Sequence, residues 1–221
     1  MSEQNKSLFD EVIKQQNRVL GNAVVEELKK KGFFALYTDT KEEALEEVLK
    51  IIPEGATVGI PGSITIREIG VLDKLKEKGH TVFHHWDTSL SSEEKLKMRK
   101  EELVSDIFLT SSNALTFDGM LVNIDASGNR VSGMAWGNNK IIFVVGINKI
   151  TFNIESAIQR IRDKATPPNA IRLKIDTPCS HTGHCLNCDS PKRLCRALLI
   201  LERATIGRES HVIIVGQKLG Y

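Results

Sequence analysis

Helical and apolar segments alternate regularly through the first half of this chain, and this alternation restricts its possible folds more than any other feature. Apolar residues recur at helical spacing from Val12 to Leu28, and Phe33–Tyr37 then has the pattern of a buried strand. Three more predicted strands each follow a segment of helical periodicity: Thr57–Ile60, Thr81–Phe83 and Asp106–Thr110. Because strands separated by helices pair in parallel through right-handed crossovers, the pattern predicts an α/β fold with a layered, mostly parallel sheet.

Polar residues at fixed spacing mark the predicted helix starts. Ser91 and Glu94 have the spacing of a capping box, in which each side chain bonds the backbone of the other residue. Thr65 and Glu68 have the same spacing, so we interpret them as the cap of a helix that runs past Leu75.

The pattern changes after residue 110. Leu121–Ile124 and Arg130–Val131 flank the turn-forming segment Asp125–Asn129, which predicts a β-hairpin that leaves the parallel sheet. This hairpin is where we would expect a homodimer contact.

The remaining elements are predicted from apolar runs and breakers. Ile141–Gly146 is apolar throughout and predicts a central strand. A helix over Ile154–Lys164 is predicted to end before Pro167, because proline lacks the N–H that a helix interior needs. Two closing strands are predicted at Ala197–Leu201 and His211–Val215. No repeat or linker interrupts the chain, so residues 1–221 are predicted to form a single domain.

All four cysteines lie in one polar loop, residues 176–196: Cys179, Cys185, Cys188 and Cys195. Four thiolates at these spacings can surround one metal ion or one iron–sulfur cluster, for which a [4Fe–4S] cubane is our first interpretation. Zinc remains the alternative, because Cys185 and Cys188 form a chelating pair common to both and thiolate softness suits both.

Other interpretations of this loop stay open. His181 or His184 could replace a cysteine on zinc, or both could be solvated loop histidines. Unliganded thiols are a further alternative, and structural disulfides would require an oxidising compartment. The N-terminal segment Met1–Lys6 is polar, with no apolar core of a signal peptide behind it, so we expect a cytoplasmic protein with reduced thiols.

Composition argues against two classes of partner. The net charge of +2 gives no electrostatic basis for binding nucleic acid or a membrane surface. Aromatic residues make up 5% of the chain, so stacking on bases is not indicated, and no apolar run approaches the length of a bilayer span.

Glycines and small polar residues follow several predicted strands, which is where ligands lie in open parallel sheets. The candidate ligand-binding residues are Gly59, Gly62, Ser63, Thr65, Asn113, Asp118, Gly119, Gly146, Asn148 and Lys149. Helix capping, a simple Asp-Gly turn and a solvated lysine are the structural alternatives. The spacing matches neither a P-loop nor a dinucleotide fingerprint, and Lys149 favours a small anionic ligand.

No catalytic constellation is apparent among the histidines His80, His84, His85 and His211.

Several short motifs together resemble the LUD domain of lactate-utilization proteins: Gly59-x-Pro61-Gly62-Ser63-x-Thr65, Asn113–Thr116 with Asp118-Gly119, Leu121–Asn123, Gly128–Val131, Val144–Gly146 with Asn148-Lys149, and Leu219–Tyr221. The cysteine loop resembles a feature of a bacterial subgroup of short members. The resemblance implies a fold like that of sugar-phosphate isomerases and coenzyme-A transferases. It also implies a place in the oxidation of lactate to pyruvate, often beside iron–sulfur subunits.

Two functional expectations follow from this resemblance. The first is an iron–sulfur accessory protein in the oxidation of lactate, or a related hydroxy acid, to the keto acid. The alternative is an enzyme of the isomerase or transferase type, or a small-ligand-binding protein, with structural zinc. The carboxylate nucleophile of coenzyme-A transferases has no clear counterpart, since the Asp-Gly context of Asp118 suits a turn. The sequence leaves open whether the chain is an enzyme.

Overall fold

The structure is a computed structural model that describes residues 3–137 and 140–221. Met1 and Ser2 of the polar N-terminal segment lie outside these ranges. The helices are α1 (Glu3–Lys30), α2 (Lys41–Ile51), α3 (Ile64–Glu68), α4 (Val71–Glu77), α5 (Ser92–Val104), α6 (Asn129–Ala135), α7 (Ile154–Arg160), α8 (Thr166–Arg172) and α9 (Pro178–Thr182). The strands are β1 (Phe34–Thr38), β2 (Val58–Gly59), β3 (Val82–Phe83), β4 (Ile107–Thr110), β5 (Ala114–Thr116), β6 (Leu121–Asp125), β7 (Lys140–Gly146), β8 (Ile150–Thr151), β9 (Ala197–Leu201) and β10 (Ser210–Val215).

A six-stranded sheet with the order β1-β10-β7-β4-β2-β3 forms the centre of the fold, and each of its strand pairs is parallel. A second sheet has the order β8-β5-β6-β9 and contains antiparallel pairs. The predicted α/β fold with a layered, mostly parallel sheet is therefore confirmed. The apolar strand β7 lies inside the sheet, between β10 and β4, as its composition predicts.

Alternate residues of β7 face the two layers of the core. Ile142 and Val144 pack with the buried faces of α2, α3 and α4. Ile141, Phe143 and Val145 pack on the opposite side, with α1, α6 and one face of the second sheet. The other face of the second sheet is covered by α7 and the helical turn after it. The central sheet is buried on both faces, which holds its strand ends in fixed positions.

The second sheet corrects one prediction. The strand β6 pairs antiparallel with β5 and with β9, and the predicted second arm at Arg130–Val131 is wrong, because these residues lie in the first turn of α6. The cause is the Asp125 carboxylate, whose Oδ2 atom accepts hydrogen bonds from the backbone N–H of Arg130 at 2.9 Å and of Val131 at 3.3 Å. A carboxylate that satisfies the free N–H groups at a helix start favours the helix over a strand.

The helix predicted to stop before Pro167 continues through it. After α7, a π-helical turn spans Ile161–Ala165, and α8 follows with Pro167 at its start. Proline is tolerated in the first turn of a helix, where its missing N–H would have no partner in any case. The predicted third helix is likewise divided, into α3 and α4, by Gly70 in the left-handed conformation (φ +70°).

None of the helices in the described part of the chain is both long enough and apolar enough to cross a membrane.

Candidate functional site

The carboxyl ends of four neighbouring strands, β7, β4, β2 and β3, meet at one edge of the central sheet because these strands are parallel. The loops that follow them line a cleft of about 570 Å³, together with the end of β6 and part of α8. Five of the predicted ligand-binding residues line this cleft: Gly62, Ser63, Thr65, Asn113 and Lys149. The fold thus brings together strand-end loops that are far apart in the sequence.

The other five candidates are not among the residues that line the cleft: Gly59, Asp118, Gly119, Gly146 and Asn148. Gly59 lies beneath α5, where a Cβ atom would overlap the backbone of Glu102. The pair Asp118-Gly119 forms the turn between β5 and β6. The Asn148 side chain accepts a hydrogen bond from the backbone N–H of Leu219 at 3.1 Å and so anchors the C-terminal segment.

The loop after β2 is capped differently from our interpretation. Ser63, not Thr65, is the N-cap of α3, and its Oγ atom accepts a hydrogen bond from the backbone N–H of Ile66 at 3.3 Å. The carboxylate of Glu68 accepts instead from the backbone N–H of Gly220. The interpretation of Thr65 and Glu68 as a capping box is therefore wrong, and the Thr65 hydroxyl is free to bind elsewhere.

Lys149 is the buried cation of the cleft, with 4% of its surface exposed. Its Nζ atom donates to Thr65 Oγ1 at 2.7 Å and to Ser111 Oγ at 3.0 Å, so it joins the loops that follow β7, β2 and β4. Burial lowers the pKa of Lys149 to about 7, helped by the positive charges of Arg160 and Arg130 and opposed by Glu68. The lowered pKa means that burial destabilises the ammonium form of Lys149.

Two arginines fix the strand ends around Lys149. Arg160 donates from Nε to the carbonyl of Asn148 at 3.0 Å and from Nη1 to the carbonyl of Asn113 at 2.7 Å. Burial lowers the pKa of Arg160 to about 10. Arg130 donates to the Asn113 side chain at 3.2 Å and to the carbonyl of Ile124 at 2.8 Å. These bonds hold the ends of β4, β6 and β7 together.

Positive charge predominates in the cleft. Its cationic lining residues are Arg67, Lys95, Arg99, Arg130, Lys149, Arg172 and Lys174, whereas Asp87 and Asp125 are its acidic residues. Two buried N–H groups of the lining, Trp86 Nε1 and Arg99 Nε, have no hydrogen-bond partner within the described ranges. A site with excess positive charge and free donors is suited to an anion with several acceptor oxygens.

A histidine–carboxylate pair forms another wall of the cleft. His85 Nδ1 lies 2.6 Å from Glu102 Oε1, and the same oxygen accepts from the backbone N–H of His85 at 2.9 Å. Glu102 is only 1% exposed; burial raises its pKa, and the bonds to His85 lower it in part. The Nε2 edge of His85 faces Gly62, 3.8 Å from where a Cβ atom would lie. Sequence reasoning missed this pair because its members are 17 residues apart and on different elements.

The cysteine loop has both local contacts and contacts with the helical segment before it. Cys179 is buried with its Sγ 3.3 Å from the Thr177 hydroxyl, and Cys185 Sγ accepts from the backbone N–H of Asn187 at 3.3 Å. The Sγ of Cys195 lies 3.5 Å from the Thr166 hydroxyl, and burial raises the pKa of this thiol.

No three His, Cys, Asp or Glu side chains in residues 3–137 and 140–221 are arranged so that they could hold a metal ion. These ranges include all four cysteines. The alternative ligands are engaged locally: His181 bonds Asp176, and His184 bonds the carbonyl of Thr182.

The sheet and its cleft define the class of the molecule: an α/β protein with a cationic ligand-sized cleft at the carboxyl edge of a parallel sheet. The LUD domain family model matches residues 22–215, and the chain belongs to this family, which is associated with lactate utilization.

A solved structure supports the fold assignment. The crystal structure of a DUF162 family protein from Deinococcus radiodurans superposes with a TM-score of 0.53 at 14% identity, covering 90% of this chain and 98% of that one. None of the curated proteins compared with the chain matches it.

Proposed function

We propose that this LUD-domain protein binds a small organic anion, through a carboxylate or phosphate group, in the cleft at Lys149, and that it serves the metabolism of lactate or a related hydroxy acid. The observation that carries the proposal is the environment of the Lys149 amine. It is buried among two hydroxyl groups at the meeting point of three strand-end loops.

The energetic argument concerns the missing counter-charge. A buried ammonium group is normally paired with a carboxylate, because burial of an unpaired charge is costly. Lys149 forms no ion pair with a carboxylate among the described residues, and the nearby guanidinium groups of Arg130 and Arg160 add to the cost. A bound anion would supply the missing charge, and its binding energy would include recovery of this cost.

The size of the cleft bears on the class of anion. At about 570 Å³ it lies within the usual range for small-molecule sites, roughly 300–1,000 Å³. A three-carbon acid would occupy only the Lys149 end, so a larger substrate or a second group has room beside it. We place the acid group of the ligand at Lys149, which leaves the part of the cleft lined by Arg67 and Trp86 for the rest of the molecule.

The test is isothermal titration calorimetry with lactate, pyruvate, ribose 5-phosphate and acetyl-coenzyme A, on the wild type and on Lys149→Met. We expect at least one anion to bind and Lys149→Met to weaken it by about 100-fold, the effect of losing a buried charge-assisted contact. The matched control is Lys174→Met, at an exposed lysine that lines the same cleft, for which we expect less than about fivefold. Equal losses in both variants, or no binding by any of the four, would contradict the proposal.

A second candidate function, an iron–sulfur accessory role beside iron–sulfur subunits in the cytoplasm, is favoured by one observation. In the chelating pair, the N–H of Asn187 points at the Cys185 sulfur, and Asn187 adopts the left-handed conformation (φ +46°). Hydrogen bonds to sulfur stabilise thiolate ligands and tune clusters. Lys192, Arg193 and Arg196 would offset the negative charge of such a site.

The test of this candidate is the iron, acid-labile sulfide and zinc content of protein purified without oxygen. About 4 iron and 4 sulfide per chain with a visible chromophore would support a cubane cluster held by the four thiolates. One zinc and no colour would instead support a structural metal. Absence of both the cluster and zinc would contradict the metal-binding role of the cysteine loop and leave the cleft as the candidate functional site.

A further inference from the structure

We propose that His85, held in place by Glu102, is a general acid–base group that moves a proton on the carbon beside a carbonyl of the anion bound in the cleft. The substrate class would be small 2-oxo acids or other carbonyl compounds that carry an acid group. This inference rests on the proposed binding function and adds a chemical step to it.

The hydrogen bonds assign the tautomer of His85. Glu102 Oε1 accepts from the backbone N–H of His85, so it presents a lone pair to the histidine and also accepts from the ring Nδ1–H. The neutral imidazole then carries its proton on Nδ1 and a free lone pair on Nε2. A buried carboxylate that orients an imidazole in this way is the arrangement found beside catalytic histidines.

The free nitrogen faces the cleft. His85 and Gly62 both line it, and the ring edge with Nε2 and Cε1 is the part of His85 nearest to Gly62. No hydrogen bond to Nε2 is made by the described residues. A pair that served stability alone would not require its basic nitrogen to be accessible from a ligand-sized space.

The same loop carries both ends of the proposed site. Gly62 faces His85, and Thr65, three residues later, binds the Lys149 amine at 2.7 Å. Three residues span at most about 10 Å, and all four residues line the same cleft, so we place the carbons of an anion anchored at Lys149 on the side of His85. The close packing of β2 on α5 at Gly59 sets the position of Glu102 and hence of the ring.

The proposed step is a reversible proton transfer that needs no oxidant or metal. His85 Nε2 takes a proton from the carbon next to the carbonyl, and the C–H bonding pair becomes a C=C bond. The carbonyl π pair moves to oxygen, which becomes an enolate stabilised by the cations of the cleft. Return of a proton from the imidazolium to carbon completes the cycle.

The test is exchange of carbon-bound hydrogen for deuterium in heavy water, followed by proton NMR on pyruvate, ribose 5-phosphate and acetyl-coenzyme A. We expect the wild type to catalyse exchange, foremost at the methyl group of pyruvate, and His85→Gln to lose about 100-fold in rate while binding within about threefold of the wild type. His80→Gln is the matched control, because His80 bonds the carbonyl of Ala56 and does not line the cleft.

Glu102 is a positioning residue, so its variant needs a separate readout. Glu102→Gln should slow exchange by about tenfold or more. Long-range nitrogen–proton NMR spectra should show His85 with its proton fixed on Nδ1 in the wild type and distributed over both nitrogens in the variant. A slower variant with an unchanged tautomer would overturn the positioning role.

The outcomes separate the two proposals. Binding of an anion without exchange, or exchange by His85→Gln at the wild-type rate, would overturn the inference and leave the binding function standing. Absence of binding by every anion of the panel would overturn the binding function, and the inference with it.

Discussion

The cleft and the cysteine loop were both indicated by the sequence, but the structure assembles them to different degrees. In the cleft, Lys149 bonds Thr65 and Ser111, which are 84 and 38 residues away in the chain, through hydroxyl groups fixed at strand ends. In the loop, Cys179 and Cys185 bond partners only two residues away. The parallel sheet positions the first region, whereas the second is joined to the helical segment before it by Cys195 with Thr166 and by the Cys185 N–H with Asp163. The more recognisable sequence motif thus has fewer contacts to the central sheet than the cleft does.

The largest expected effect comes from removing the Arg160 side chain, whose hydrogen bonds join two of the strand ends around the cleft. Arg160→Leu should lower the free energy of unfolding by about 3 kcal/mol, because the carbonyls of Asn113 and Asn148 lose their donor in a buried setting. Urea denaturation measures the change. Arg203→Leu is the control, since Arg203 also donates to a carbonyl but is exposed, and it should cost less than about 0.5 kcal/mol. Similar losses of unfolding free energy in the two variants would mean that the Arg160 hydrogen bonds stabilise the fold no more than an exposed arginine does.

Two glycines, one at the end of β2 and one in the loop that follows it, test how closely this part of the fold is packed. Gly59→Ala should cost about 1–3 kcal/mol, because the new methyl group overlaps the backbone of Glu102 in α5. Gly62→Ala should change stability by less than about 0.5 kcal/mol, since its nearest neighbour would be Trp86 Nε1 at 3.5 Å, an ordinary contact. Thermal denaturation compares the two variants. A tolerant Gly59 would show that α5 is free to shift away from β2.

The pH dependence of binding should come next in size. Below pH about 7 Lys149 is already protonated and the affinity for an anion should be level. Above that pH the complex must take up a proton, because the anion favours the ammonium form, and affinity should fall by up to about tenfold per pH unit. Calorimetry in buffers of different ionisation enthalpy measures this uptake. Lys149→Met should abolish it, and a slope that persists in the variant would assign the proton to another group.

The same group affects stability in the opposite sense. Without ligand, the unfolded chain binds a proton on Lys149 more tightly than the folded chain does. Unfolding free energy should therefore rise with pH between about 7 and the ordinary lysine value of 10.5. Urea titrations of the wild type and Lys149→Met across this range measure the difference. A wild-type curve that ran parallel to that of the variant would contradict the low pKa.

The smallest effect is expected in the cysteine loop. In metal-free protein, the double change Cys185→Ser and Cys188→Ser should alter stability by less than about 0.5 kcal/mol and leave anion affinity within about twofold, because both residues are partly exposed and have local contacts. Denaturation and calorimetry measure the two quantities. A large loss of stability would reveal that the loop is tied to the fold more strongly than its contacts indicate.

Local patterns predicted most of the fold, because its information lies in short stretches of sequence. The apolar run of β7 and the capping box of Ser91 and Glu94 both occur as the patterns predict. The start of α6 was mispredicted, since a carboxylate of the preceding strand decides it. The π-helical turn before Pro167 has no comparable sequence signal.

The candidate site was predictable only in part. Lys149 and Thr65 could be proposed from their positions after strands, although their mutual bond could not. His85, Glu102 and Arg160 gave no signal, because their roles depend on contacts between elements distant in the chain.

The π-helical turn at Ile161–Ala165 has a consequence for how this site could vary among related chains. A π turn holds one more residue than the α-helical turn it replaces, and such turns often lie near functional sites. Arg160, just before the turn, donates hydrogen bonds to the carbonyls at two strand ends. Thr166 and Asn169, just after the turn, line the cleft. Deletion of a single residue here would therefore restore a regular α-helical turn and leave the two halves close to their present orientation. The turn is therefore a place where related chains can differ by one residue and still keep both the hydrogen bonds of Arg160 and the cleft-lining face of α8.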